Sequence, residues 1–240
     1  MKATYTVILF VLLTFFGFTT TFSQDLYMPR NVKAVYAAGL RSMDGKPAAK
    51  YAQNKSTHNI RISVAPPNRT VTGSEDIIYK NNTAIPLDQL VLRFDMNAHA
   101  PEAMREAPVE MGQITGDLVV DEYAENGIVL PWQPVIGQKG FSFNAVKLSK
   151  PLAPGGTVTL SFKWHYELAA KSNRDGAIAA TTFYLAYFYP RVAVLDNVNG
   201  WDQTYHLLGG HEFYNEFNDY NVEVTVPRNF IVWGTGNLTN

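Results

Sequence analysis

From residue 58 onward the apolar residues recur at every second position, and that period restricts most of the chain to β structure. Between Thr157 and Glu167, Val158, Leu160, Phe162, Trp164 and Tyr166 alternate with Thr, Thr, Ser, Lys, His and Glu. Successive side chains of a strand point to opposite faces, so one face is expected buried and the other wet. Ile60, Ile62 and Val64 alternate with Arg61 and Ser63, and Val222, Val224 and Val226 with Glu223 and Thr225 before Pro227. Leu90, Leu92, Phe94 and Met96 alternate in the same way with Val91, Arg93 and Asp95. Turn residues such as Pro154-Gly155-Gly156 recur about every dozen residues. The expected fold is therefore mainly β, an antiparallel β-sandwich or large curved sheet with a short N-terminal helix. Asn31 is expected to cap that helix, with Val32, Val35, Tyr36 and Leu40 on one face and its end near Gly39. A second short helix is a candidate at Pro101 to Glu106.

Thr181 to Tyr220 packs eleven aromatic residues into forty positions. If Phe183 to Tyr189 is one strand, Phe183, Leu185, Tyr187 and Tyr189 share one face and Tyr184, Ala186 and Phe188 the other. A strand apolar on both faces needs cover on both. One face can join the domain's own core; the other is expected to need a second layer, and to self-associate without it.

The first 24 residues read as a signal peptide, with Lys2 before the apolar run Val7 to Phe18 and the small residues Thr21 and Ser23 at the cleavage region. Export follows, to the periplasm or beyond, with no stable membrane span after cleavage. The competing reading is an uncleaved anchor, for which an eighteen-residue stretch interrupted by threonines is marginal. Residues 25–56 then form an N-terminal extension carrying the short helix, and residues 57–240 the β domain. The sequence has no cysteine, so an exported chain must rely on its core instead of disulfides. Without the leader, 19 basic residues stand against 21 acidic, and no basic patch marks nucleic acid as a partner.

His211-Glu212-Phe213-Tyr214-Asn215 begins like a zinc-protease helix but places Asn215 where the second histidine of H-E-x-x-H would bind. His206, His211 and Glu212 remain a weak candidate for a structural metal. G-x-S-x-G is absent, and Gly234-Thr235-Gly236 alone is a turn. The carboxylates Asp121 and Glu122, or Glu102, Glu106 and Glu110, are expected to be solvated loop charges, since nothing places two of them across a cleft. Arg191, after Tyr189-Pro190, and Asp202, beside Trp201, lie within the aromatic region. A buried charge there needs a partner, and Arg191 with Asp196 or Asp202 is the expected ion pair.

Three pieces together resemble the amino-terminal domain of the aminopeptidase N-type zinc metallopeptidase (gluzincin) family. They are Pro151-Leu152-Ala153-Pro154-Gly155-Gly156 leading into Val158-Thr159-Leu160-Ser161-Phe162; Tyr189-Pro190-Arg191 with Trp201-Asp202; and Glu212-Phe213-Tyr214 leading to Asp219 to Pro227 and Thr235-Gly236. Arg41 to Pro47 and Tyr51 to Asn54 resemble the opening of large exported members from Bacteroidota-type bacteria. The resemblance spans roughly residues 27 to 240. It implies a saddle-shaped β-sandwich that packs on a thermolysin-like catalytic domain. That second domain would hold zinc, through H-E-x-x-H and a later glutamate, and bind the substrate through G-x-M-E-N. None of these motifs is in the sequence, so the expectation is a fragment that ends where the catalytic domain begins. The family's amino-terminal domain usually offers a glutamine to the substrate pocket from a loop matching about Tyr184 to Arg191. Here that loop has Leu185, Ala186 and tyrosines instead.

The expected function is thus a non-catalytic domain of an exported zinc metallo-aminopeptidase-like protein. Its partner would be the catalytic domain of the same parent chain, with peptide substrate met only through that domain and no cofactor in this chain. Tyr184, Tyr187, Tyr189, Arg191, Trp201, Asp202, Glu212 and Tyr214 are the candidates for the substrate cleft or domain interface. The alternative is a free-standing exported β module that holds a glycan or peptide on an open aromatic platform at Tyr184 to Tyr189 and Trp201.

Overall fold

A computed structural model describes residues 27–171, 174–208 and 214–239. The chain divides into two compact units between Ala48 and Ala49. In the first, helix α1 (Arg30–Ala37) is followed by Gly39 at a φ of 72°, a left-handed conformation that glycine adopts without a Cβ clash and that ends the helix. Pro29, not Asn31, stands at the N-cap, and the Asn31 side chain instead accepts the Val32 N–H within the first turn. Proline's fixed φ suits a helix entry, which explains the displacement.

The second unit is built from strands. A six-stranded sheet has the order β13 (Asp219–Thr225), β1 (Lys55–Val64), β2 (Thr70–Lys80), β7 (Thr157–Glu167), β4 (Val119–Glu125), β5 (Ile128–Leu130). A three-stranded sheet has the order β10 (Arg191–Val192), β3 (Leu87–Arg93), β6 (Phe143–Leu152). Two small hairpins, β8 (Gly176–Ala179) with β9 (Thr182–Tyr184) and β11 (Leu195–Asp196) with β12 (Gly200–Trp201), complete the strands. All the pairings are antiparallel except β13 on β1.

The main core brings together side chains from the two larger sheets. Ile60, Ile62, Ile77, Leu160, Phe162 and Trp164 of the six-stranded sheet share one cluster with Leu90, Leu92, Val146 and Leu148 of the three-stranded one. This is the mainly β, sandwich-like architecture expected from the alternation. Strand β7 spans the residues that alternate most clearly, and its five in-phase apolar residues are all buried.

Three local expectations give way to tertiary packing. The Leu90–Met96 alternation does not continue as strand: β3 ends at Arg93, and Asp95–His99 is a wholly buried 3-10 turn. Pro101 to Glu106 forms turns and not a helix. Phe183 to Tyr189 is not a single strand either. β9 stops at Tyr184, Tyr187 takes a φ of 56°, and Phe183, Leu185, Phe188 and Tyr189 all pack partly buried against the core. Cover on both faces is found instead at β3. There Leu90 and Leu92 enter the main core, while Val91 faces a second cluster with Phe143, Ala145 and Ala193.

Candidate functional site

Two buried polar clusters adjoin the residues singled out from the sequence. The first begins with a register problem: β10 sets Arg191 directly opposite Arg93 on β3. Like charges placed opposite one another repel. Asp95, the first residue of the 3-10 turn, resolves the conflict by dividing its two oxygens. Arg93 donates to Oδ1 from Nη2 at 3.0 Å and from Nε at 3.2 Å, and Arg191 donates to Oδ2 from Nη2 at 2.6 Å and from Nε at 3.0 Å. Asp202 adds the second negative charge, its Oδ2 lying 3.3 Å from Arg93 Nη1, and its Oδ1 accepts the Thr204 N–H. Arg93 Nη1 also donates to the Thr204 carbonyl. Among the described residues the network holds two guanidinium groups and two carboxylates, all buried. A buried network of this kind tolerates no missing member. The expected ion pair of Arg191 with Asp196 or Asp202 is therefore corrected: Arg191 pairs with Asp95, which the 3-10 turn after β3 presents to it.

The second cluster is a relay of hydrogen bonds through Ser56, His58 and Glu75. Ser56 and His58 lie two apart on β1 and share its inner face, and Glu75 comes from the neighbouring β2. Ser56 Oγ is 2.9 Å from His58 Nε2, and His58 Nδ1 is 2.6 Å from Glu75 Oε1. These are the components of a serine–histidine–carboxylate arrangement, but the protons run the wrong way for a nucleophile. The Ser56 N–H points at Asn218 Oδ1, which fixes that atom as an acceptor, and the Ser56 hydroxyl donates to it as well. Nε2 must then donate to Ser56 Oγ, leaving Nδ1 to accept the proton of Glu75. The pKa shifts agree. Burial, with the charge of Arg191, lowers His58 to about 3, and burial, with the charge of Asp76, raises Glu75 well above its ordinary value. Tyr220 stacks on the imidazole at 4.9 Å and Tyr189 meets it edge-on at 5.7 Å, closing the site to solvent. The relay locks β1, β2 and the approach to β13 together; it does not activate the serine.

Of the expected site residues, the structure gathers four around these clusters. Arg191 and Asp202 belong to the ionic network, Tyr189 covers His58, and Trp201 pairs with Leu195 and lies 6.4 Å from Tyr79. Tyr214 adjoins them: burial, then the charges of Asp202, Asp196 and Glu216, raise its pKa. Nearby Glu216 is itself raised to about 7 by burial, against a hydrogen bond from Gln53. Tyr184 and Tyr187 stand apart, Tyr184 half-exposed at the end of β9 and Tyr187 with its hydroxyl 3.2 Å from Arg174 Nη1. Glu212 and His211 lie outside the described residues.

The sequence reading passed over Ser56, His58, Glu75, Arg93 and Asp95. A signal for the first three was present, because each falls in phase with the buried apolar residues of its strand. Asp121 and Glu122 are exposed as expected, though on β4 and not a loop, facing His165 at 2.9 Å and Lys163 at 3.0 Å. The described residues do not fit zinc. The ring nitrogens of His58 and His99 are both engaged, those of His99 by the Gln113 carbonyl at 2.7 Å and Asp175 at 2.6 Å. Among the described residues no three His, Cys, Asp or Glu side chains gather around one point. No helix among them is long and apolar enough to cross a membrane.

No family model matches the chain, and no curated protein matches it in sequence. Among solved structures it is similar to an M1 zinc metallopeptidase from Deinococcus radiodurans. For a mutant of that enzyme bound to a Tyr-Ser-Ala substrate, the identity is 16% and the TM-score 0.40, over 76% of this chain and 34% of that one. For the same peptidase in another crystal structure, the identity is 15% and the TM-score 0.40, over 75% and 34%. A putative nutrient binding protein from Legionella pneumophila is similar at 13% identity and a TM-score of 0.28, over 49% and 40%. The chain thus spans about a third of the length of the peptidase chains it matches.

Proposed function

We propose that this chain is the non-catalytic amino-terminal β domain of an exported zinc metallo-aminopeptidase-like protein. It packs on the catalytic domain of the same parent chain and walls one side of the substrate cleft. Zinc and the chemistry of hydrolysis belong to that domain; the residues described here position and cover.

The observation that carries this reading is the concentration of exposed apolar side chains near the carboxyl end. Phe217, Tyr220, Val222, Ile231, Trp233 and Leu238 are all exposed, three of them more than nine-tenths. Side chains of this size left bare over so short a stretch suit a docking face. The sequence motifs that resemble the family lead to the same stretch, since Asp219 to Pro227 contains β13. The buried ionic network supports a structural role, because it holds Arg191 and Asp202 away from any ligand.

Reading the source DNA onward from the codon for Asn240 tests the proposal. A frame that continues into H-E-x-x-H with a later glutamate is the expected result; an immediate stop codon overturns it. The open aromatic platform of a glycan- or peptide-binding module finds no support at Leu185 to Tyr189, which are half-buried against the core.

A further inference from the structure

A separate cleft lies on the β domain beside Trp132, formed by the end of β3, the start of β4, the segment after β5 and the start of β6. It encloses about 200 Å³ and is lined by Phe94, Asn97, Asp117, Trp132, Gly137 and Asn144 among others. That is the liquid volume of roughly six or seven waters, enough for one six-membered ring with its substituents.

The walls of the cleft are rigid. Trp132 is wedged among Phe94 at 5.6 Å, Tyr123 at 5.6 Å and Phe162 at 5.8 Å. Asn97 is pinned at both ends of its amide, with Oδ1 accepting the Leu118 N–H and Nδ2 donating to the Phe141 carbonyl. Asp117 Oδ1 accepts the Gly140 N–H at 3.0 Å, which fixes the carboxyl group at the cleft wall.

Asn144 is the informative residue. The residue is 9% exposed, lines the cleft, and its side-chain amide makes no hydrogen bond to the described residues. Its amide atoms still reach the cleft, where a ligand can take the place of water as their partner. Space for that amide is kept by Gly137, where any Cβ would overlap Asn144 Oδ1.

The lining selects a chemistry. Asn144 offers an acceptor and a donor, Asn97 has one amide hydrogen left, and the second oxygen of Asp117 is free to accept. Groups that both donate and accept satisfy such a mixture, as vicinal hydroxyls do. Lys139 also lines the cleft, and its charge and that of Glu102 act on Asp117 in opposite senses, so the lining does not call for a charged ligand. An indole beside these polar groups provides an apolar surface for the C–H face of a saturated ring.

We propose that the cleft between Trp132 and Asn144 is a binding subsite for one pyranose ring of a neutral sugar. Titration calorimetry of the full chain against a panel of neutral monosaccharides, and oligosaccharides ending in the same sugars, tests this. Saturable binding by at least one sugar is expected, weakened about tenfold or more in both Asn144→Ala and Asp117→Asn. An unfolding transition like that of the unchanged chain shows that each variant is folded. Gly137→Ala, which displaces the Asn144 amide without removing it, is expected to weaken binding as well. Tighter binding of the oligosaccharide identifies a glycan end as the source, and equal binding a free sugar; both support the subsite. No binding by any sugar overturns the proposal, as do unchanged binding in folded Asn144→Ala and a preference for free amino acids over sugars. These outcomes do not depend on whether the chain belongs to a peptidase.

Discussion

Glu75 gives the clearest consequence of a single residue, because it and His58 share one proton that the fold assigns to the carboxyl group. Unfolded, the two titrate near their ordinary values of 4.5 and 6.5. Folded, the pair holds one proton between the lowered His58 value of about 3 and the raised value of Glu75. Below pH 4.5 the unfolded pair binds two protons to the folded pair's one, so stability falls as pH falls toward 3. Above pH 6.5 the unfolded pair binds none, so stability falls as pH rises. Each limb has a slope of about 1.4 kcal/mol per pH unit, with the maximum between them. Glu75→Gln keeps an N–H to face Nδ1 and removes the alkaline limb. Its urea midpoint is expected to gain on the unchanged chain from pH 5 to pH 8; parallel curves would show that folded Glu75 is ionised. At Asp95 a different loss follows. Asp95→Asn removes the carboxylate that both buried guanidinium groups share, and a cost of about 3–5 kcal/mol is expected in chemical denaturation. A loss under about 1 kcal/mol would mean that the network is not electrostatically coupled.

At the scale of elements, the β2–β7 pairing is the tightest joint in the six-stranded sheet. Gly73 stands opposite Trp164 in register, and any Cβ there would overlap the indole ring. The missing side chain on one strand is the space that the large one on the other occupies. Gly73→Ala must displace a fully buried ring, and overpacking of this kind costs about 1–3 kcal/mol. Thr72→Ala, on the exposed face one residue earlier, is expected to stay within about 0.5 kcal/mol. Equal effects in thermal unfolding would mean that the indole yields without cost. A second joint ties the 3-10 turn Asp95–His99 to Asp175. Both ring nitrogens of His99 face acceptors, and although burial opposes it, Asp175 and the Gln113 carbonyl raise its pKa. That contribution is complete below pH 6.5 and is lost as pH rises through the raised value.

For the molecule as a whole, the exposed apolar stretch from Phe217 to Leu238 replaces Phe183–Tyr189 as the surface in want of cover. The purified chain is expected to self-associate in sedimentation and to bind a dye for apolar surface, and Phe217→Ser with Trp233→Ser to reduce both without shifting the unfolding midpoint. A monomer without dye binding would remove the support for a docking face. The period-two alternation by itself determined the β architecture, because a strand's geometry puts every second residue on one face whatever surrounds it. It was strong enough to mark β7 from end to end, and the in-phase His58 and Glu75 were legible as inward-facing. It did not reveal that β3 rather than Phe183–Tyr189 is covered on both faces, since periodicity records which residues are apolar and not what packs on them. Nor did it show that Arg191 meets Asp95 and not Asp196 or Asp202. That pairing depends on which strands become neighbours, and only long-range packing brought β10 beside β3, setting two arginines opposite each other with one carboxylate between them.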